Sequence, residues 1–197
     1  MIRIILVRPG STDYDEQGRI KGNLDIPLSQ IGEDQITRTV AELSGHDIQM
    51  VYTCPCQAAT ETASAIADQL HVRQKSVEAL TNLDHGLWQG KLIDEVKASQ
   101  PKVYRQWQEQ PETVCPPEGE MVSSAKNRIR SCVEKLVKKH RGGCVALVVP
   151  EPLASIVRCQ LIQGELGDFW QAENECGSWE LVDVNLPSLC TSSGAAG

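Results

Sequence analysis

Short aliphatic runs alternating with longer helical periods predict an α/β protein, a three-layer α/β/α sandwich around a mainly parallel sheet. Three observations carry this expectation. Residues 2–7 and 144–149 are continuous β-branched or aliphatic runs, as strands covered on both faces should be. Helical periodicity separates the runs, and a shorter apolar run at 50–53 supplies a further strand. No Pro/Gly/Ser-rich stretch divides the 197 residues before the tail, so one domain over 1–187 is expected.

The elements follow in order. A helix is predicted over 29–43 with Ser29 as its N-cap, and another over 58–70. A longer one covers 122–139, where Lys138, Lys139, His140 and Arg141 precede Gly142-Gly143 and suit a helix C-terminus. Pro152 stands where the chain leaves the late strand for a helix running to Ile162, and proline is tolerated at a first helical position. Residues 179–184 alternate like an edge strand. The tail, 188–197, is small and polar and is expected to be disordered.

Composition limits the function. The formal net charge is −7 and no Lys/Arg run offsets it, so nucleic acid and anionic lipid are not expected partners. The amino-terminal apolar run is too short for a signal peptide or membrane span, and no later one is long enough to cross a bilayer. A cytoplasmic location is the expectation. The eight cysteines then read as reduced thiols. Cys54 and Cys56, the close pair, lack the spacing and partners of a zinc site, and neither a metal nor a cofactor is called for.

Ligands in parallel α/β sheets bind beyond the carboxyl ends of the strands, which directs attention to three loops and one mid-chain block. They are Arg8-Pro9-Gly10-Ser11-Thr12, then Thr53-Cys54-Pro55-Cys56-Gln57-Ala58-Ala59-Thr60-Glu61-Thr62-Ala63, then Leu80-Thr81-Asn82-Leu83-Asp84-His85-Gly86-Leu87-Trp88, and Val149-Pro150-Glu151-Pro152. In this order, with Pro27-Leu28 and Gly119-Glu120 between them, the blocks resemble the histidine phosphatase superfamily, the phosphoglycerate-mutase-like group. The resemblance covers residues 1 to about 184. It implies a phosphoglycerate-mutase-like fold with a small helical cap insert at about 80–120, and phosphoryl chemistry through a phosphohistidine. Two arginines and a second histidine would hold the phosphoryl oxygens, and a carboxylic acid would protonate the leaving oxygen.

Carried over position by position, that machinery is replaced. The nucleophile's position is Pro9, the second arginine's is Ala58, the proton donor's is Asn82 and the second histidine's is Glu151. Arg8 and Thr12 remain as an anion-binding remnant, and Asp15 joins Glu151 as pocket acid. One arginine facing Glu151 and Asp15 is expected to form an ion pair rather than hold a dianion. The leading expectation is a non-catalytic homologue, a pseudophosphatase with a binding, regulatory or structural role and an unknown protein or small-molecule partner. Its alternative is a weak or divergent phosphatase or phosphomutase acting on a small phosphoester through Cys54 or Glu151. A third reading is a cation site formed by Asp13, Asp15, Asp84 and Glu151.

The remaining candidates have plainer readings. His85 is expected to pack beside Gly86-Leu87-Trp88, while His46, His71 and His140 read as solvated. Arg19 and Lys21 are expected to pair with carboxylates such as Asp25, and the four tryptophans to serve in packing.

Overall fold

The computed structural model describes residues 1–164, 166 and 176–184. Five strands form one mixed sheet in the order β3-β2-β4-β1-β5: β1 (Ile2–Val7), β2 (Met50–Thr53), β3 (Arg73–Ser76), β4 (Cys144–Val148) and β5 (Trp179–Val184). All neighbours run parallel except β5, which lies antiparallel to β1 at one edge. β1 and β4 are central and almost wholly buried, which explains why they lack polar alternation. β3 was not legible in the sequence because Arg73, Gln74, Lys75 and Ser76 are all exposed on the other edge.

The helical layers are α2 (Gln30–Leu43) packed on α3 (Gln57–Leu70), and α6 (Val122–Lys139) packed on α7 (Leu153–Ile162). Ser29 caps α2 through its side chain, which accepts from the Gly32 amide at 3.1 Å. α3 buries Ala58, Ala59, Thr62, Ala63, Ile66 and Ala67, and these mostly small side chains let it lie close to the sheet. α7 begins one residue later than expected, with Pro152 as its N-cap. A four-residue helix, α1 (Asp13–Glu16), follows the first loop and is too short to show periodicity.

Between residues 80 and 121 the chain forms short turns and two helices, α4 (Ile93–Ser99) and α5 (Pro101–Glu109). Trp88 and Trp107 are fully buried there and meet edge to face, their centroids 5.8 Å apart. They serve in packing as expected. Trp170, Cys190 and the tail at 188–197 lie outside the described residues.

Parallel register aligns the strand ends. Val7 and Thr53 are both partners of Val148, so the loops after β1, β2 and β4 leave the sheet side by side. Backbone bonds continue the alignment: Cys54 N donates to Val148 O at 2.9 Å and Val149 N to Val7 O at 3.0 Å.

Candidate functional site

The first loop is held rigidly by its backbone. Arg8 N donates to Ser178 O at 2.9 Å, and Gly177 N donates to Pro9 O at 2.8 Å. The loop also presses against the start of α2. A Cβ on Gly10 would lie 2.5 Å from Gly32 O, and one on Gly32 would lie 2.1 Å from Ser11 O. Both positions therefore exclude any side chain. Pro9 is buried in this loop and offers neither a nucleophilic atom nor an N–H.

Arg8 points into the space between the loops and is clamped by carboxylates. Its Nε donates to Glu151 Oε1 at 2.7 Å and its Nη2 to Glu180 Oε1 at 3.1 Å. Glu180 Oε2 in turn accepts from Arg158 Nε at 2.8 Å. Charges thus alternate along Glu151, Arg8, Glu180 and Arg158. The inner pair is nearly dry, with side-chain exposures of 8% for Arg8 and 5% for Glu151.

Glu151 sits just before α7, and its Oε2 accepts from the Ser155 amide in the first helical turn at 3.0 Å. Burial pushes its carboxyl up from the ordinary value, against the downward pull of the Arg8 guanidinium and the Ser155 bonds. Both oxygens accept hydrogen bonds, which is the arrangement an ionised carboxylate makes. A guanidinium and a helix N-terminus are the two groups that commonly receive a phosphoryl anion. Here an internal carboxylate occupies both.

The expected pairing of Arg8 with Glu151 is therefore present, but Asp15 requires correction. Its Oδ2 accepts from Thr12 N and Oγ1, both at 2.7 Å, and its Oδ1 takes the ammonium of Lys21. Thr12 and Asp15 together form a capping box on α1, because an N-cap hydroxyl and an N3 carboxylate satisfy the helix's first amides locally. Of the two basic loop residues, Lys21 pairs with a nearby carboxylate as expected and Arg19 does not. Lys21 pairs with Asp15, and Arg19 donates to Gly90 O and Gln17 Oε1, while Asp25 accepts from Gln57 N at the start of α3.

Asn82 is 2% exposed and ties two loops together. Its Nδ2 donates to Gly22 O at 2.8 Å and to Glu151 O at 3.0 Å. Ala58 is buried, and its amide donates to Ile26 O at 3.2 Å. A methyl group there contributes no charge to the site.

The two cysteines of the close pair sit in different surroundings. Cys54 is buried, and its thiol is pushed up well above the ordinary value, chiefly by its bond to Cys56, with burial adding to it. Cys56, half-buried at the N-cap position of α3, is pulled down, first by the bond from Cys54, with Lys21 and the Ala59 amide assisting against burial and Asp25.

His85 is 1% exposed and packs against Trp107 at 5.6 Å, as expected of a structural histidine. Burial holds it neutral, at about 4. The solvated reading fails for two others. His140 Nε2 meets Tyr52 Oη at 2.7 Å, and His46 packs edge-on to Trp179 at 5.0 Å. The acids of the cation reading are dispersed: Asp13 is exposed on α1, and Asp84 accepts from Gly86 N at 2.7 Å in its own turn. Among the described residues, no group of His, Cys, Asp and Glu gathers as a metal site. No helix among them is long and apolar enough to cross a membrane.

Glu180 and Arg158 escaped the sequence reading. The edge strand was visible, but only its antiparallel register, with Leu6 opposite Glu180, brings that carboxylate to Arg8.

Comparisons with known proteins bear on the family and the fold. A family model described as histidine phosphatase superfamily (branch 1) matches residues 4–186. Phosphoserine phosphatase 1 of Hydrogenobacter thermophilus is 29% identical over 93% of this chain and 87% of its own. The bifunctional protein Rv2228c of Mycobacterium tuberculosis is 27% identical over 82% of this chain, which spans 45% of that longer protein. Among solved structures, a mycobacterial glucosyl-3-phosphoglycerate phosphatase complexed with VO3 superposes with a TM-score of 0.82, covering 91% of each chain at 23% identity.

Proposed function

The chain belongs to branch 1 of the histidine phosphatase superfamily, and from that membership we propose that it is a non-catalytic member, a pseudophosphatase acting by binding. The observation that carries the proposal is the Glu151–Arg8–Glu180 clamp. A phosphoryl dianion would have to displace Glu151 from both Arg8 and the first-turn amide of α7. It would also have to approach a second carboxylate, Glu180, at a partly buried site.

The family positions assigned from the sequence support the same reading. Pro9 stands for the nucleophilic histidine, Ala58 for the second arginine and Glu151 for the second histidine. Asn82 stands for the proton donor, and both of its N–H groups are spent on backbone carbonyls. Arg8 and Thr12 keep their family identities but work inside the fold, one in the ion-pair network and the other as a helix cap. In this reading residues 1–187 form one domain and residues 80–120 act as a helical cap beside the site.

The second reading, a weak or divergent phosphoric monoester hydrolase, draws on the relatives. The H. thermophilus protein that matches over most of both chains is named a phosphatase, which favours phosphoester chemistry. One assay separates the readings. Hydrolysis of an aryl phosphate is followed from about pH 5 to 8, around the values at which positioned acids and bases act best near neutral pH, with Arg8→Ala as the contamination control. The proposal expects no turnover above that control. Turnover that disappears in Arg8→Ala, with a phosphoryl adduct on Cys54, Cys56 or Glu151 found by mass spectrometry, would replace it with the second reading.

A further inference from the structure

We propose that the groove between α6 and the chain leaving β3 is a second binding site, for a small organic anion that carries a phosphate or carboxylate head on an apolar stem. The inference stands whether or not the protein hydrolyses phosphoesters, because no residue of the Arg8 clamp lines this groove.

Sheet register and helix spacing build it. Lys75 on the edge strand β3 is the register partner of Tyr52 on β2, so the two side chains point to the same face of the sheet. On the facing wall, α6 presents Arg128, Ser131, Lys135 and Lys139 at intervals of three and four residues, which places them on one stripe. Cys132 and Leu136, each 8% exposed, form an apolar floor with the partly buried Val77 and Ala79. The groove holds about 490 Å³, within the roughly 300–1,000 Å³ of small-molecule sites.

The charges select an anion. Arg128 stands at one end of the stripe with its charge already paired. Its Nε and Nη2 donate to the Glu120 carboxylate, both at 2.8 Å, and its Nη1 to Ala79 O at 2.8 Å. At the other end Lys139 Nζ donates to Tyr52 Oη at 3.2 Å, and that hydroxyl also meets His140 Nε2 at 2.7 Å. Lys75 and Lys135, both exposed, take part in no ion pair among the described residues, although Glu78 also lines the groove. Lys135 and Lys139, four residues apart on one helix, repel each other.

Two general roles account for single lysines here and not for the group. A lysine on an edge strand discourages pairing with another chain, and lysines in a last helical turn suit the helix dipole. The second role covers Lys139 but not Lys135, which precedes the last turn. Neither requires cations from two elements to line one apolar floor. An anionic head held by Lys75 and Lys135 supplies the missing counter-charge, since an ammonium offers three donors to phosphate or carboxylate oxygens. The stem covers Val77, Ala79 and Leu136, which an inorganic ion would leave in water.

The test titrates the full chain near neutral pH with hexylphosphonate and with octanoate, followed by calorimetry. Neither probe has an ester bond that a phosphatase could cleave. At low ionic strength at least one should bind with a Kd below about 1 mM. Lys75→Gln and Lys135→Gln, both at exposed positions, should each weaken that binding at least about 5-fold. Inorganic phosphate, which lacks the stem, should bind at least about 10-fold more weakly than hexylphosphonate. With the bound probe present, limiting acetic anhydride should modify Lys75 and Lys135 more slowly, and Lys102, exposed on α5, at its former rate. A Kd above about 1 mM for both probes, binding unchanged by both substitutions, phosphate as tight as hexylphosphonate, or equal protection of Lys102 would each overturn the proposal.

Discussion

Replacing Glu151 by glutamine removes one charge from the centre of the site and leaves its shape intact. The Arg8–Glu151 pair is buried on both sides, at 8% and 5% side-chain exposure. Breaking such a pair by removing one partner costs about 3–5 kcal/mol, because the remaining charge stays buried. Two features place this case at the lower end. Glu180 remains 3.1 Å from Arg8, and the glutamine carbonyl can still accept from Ser155 N. We therefore expect Glu151→Gln to lose about 3 kcal/mol. In a domain of this size each kcal/mol moves Tm by roughly 2–4 °C, so scanning calorimetry should read a fall of about 6–12 °C. Glu180→Gln, at a site with 29% side-chain exposure, should cost about 1 kcal/mol or less. The same variant tests the origin of the vacancy that phosphate needs. With its carboxylate gone, Glu151→Gln should bind inorganic phosphate, and at ten times Kd the ligand returns about 1.4 kcal/mol. The parent protein should not respond. The reasoning fails if Glu151→Gln melts within about 2 °C of the parent, or if phosphate raises the parent's Tm as much as the variant's.

The other predictions concern the frame around the site. His85 is held neutral to about 4, whereas an unfolded imidazole protonates near 6.5, so the unfolded chain binds the extra proton between these values. Stability from this group is complete above about pH 6.5 and is lost as pH falls toward 4, by about 3 kcal/mol; urea titrations should show His85→Phe losing that part of the pH slope. Gly32→Ala would drive a methyl group against the Ser11 backbone, which no side-chain rotation relieves, and should lower stability by about 1–3 kcal/mol. Alanine at Gly45, where nothing lies within 4 Å of the added carbon, should leave the melting curve near that of the parent.

The chain order of aliphatic runs and helical periods was sufficient for the α/β class, the three core strands and the four long helices. These elements bury continuous apolar faces, and that pattern is written locally. Four blocks at strand ends were sufficient for the superfamily, and the positions that resemblance assigned, together with their charges, predicted the Arg8–Glu151 pair. What the sequence could not show depends on contacts between distant segments. β3 has no apolar face to reveal it, since an exposed edge needs none. The partner choices of Asp15, Lys21 and Asp25 follow from loop geometry, and each carboxylate took the nearest amide or ammonium the fold offered. Glu180 reaches Arg8 only because β5 runs antiparallel to β1 in one register, and a shift of one residue would turn its side chain to the other face. The sequence singled out Cys54 of the close pair but could not show how either cysteine is buried. Only the fold buries Cys54 at the end of β2 and leaves Cys56 half-exposed ahead of α3, because exposure is set by what packs around a side chain rather than by its place in the chain.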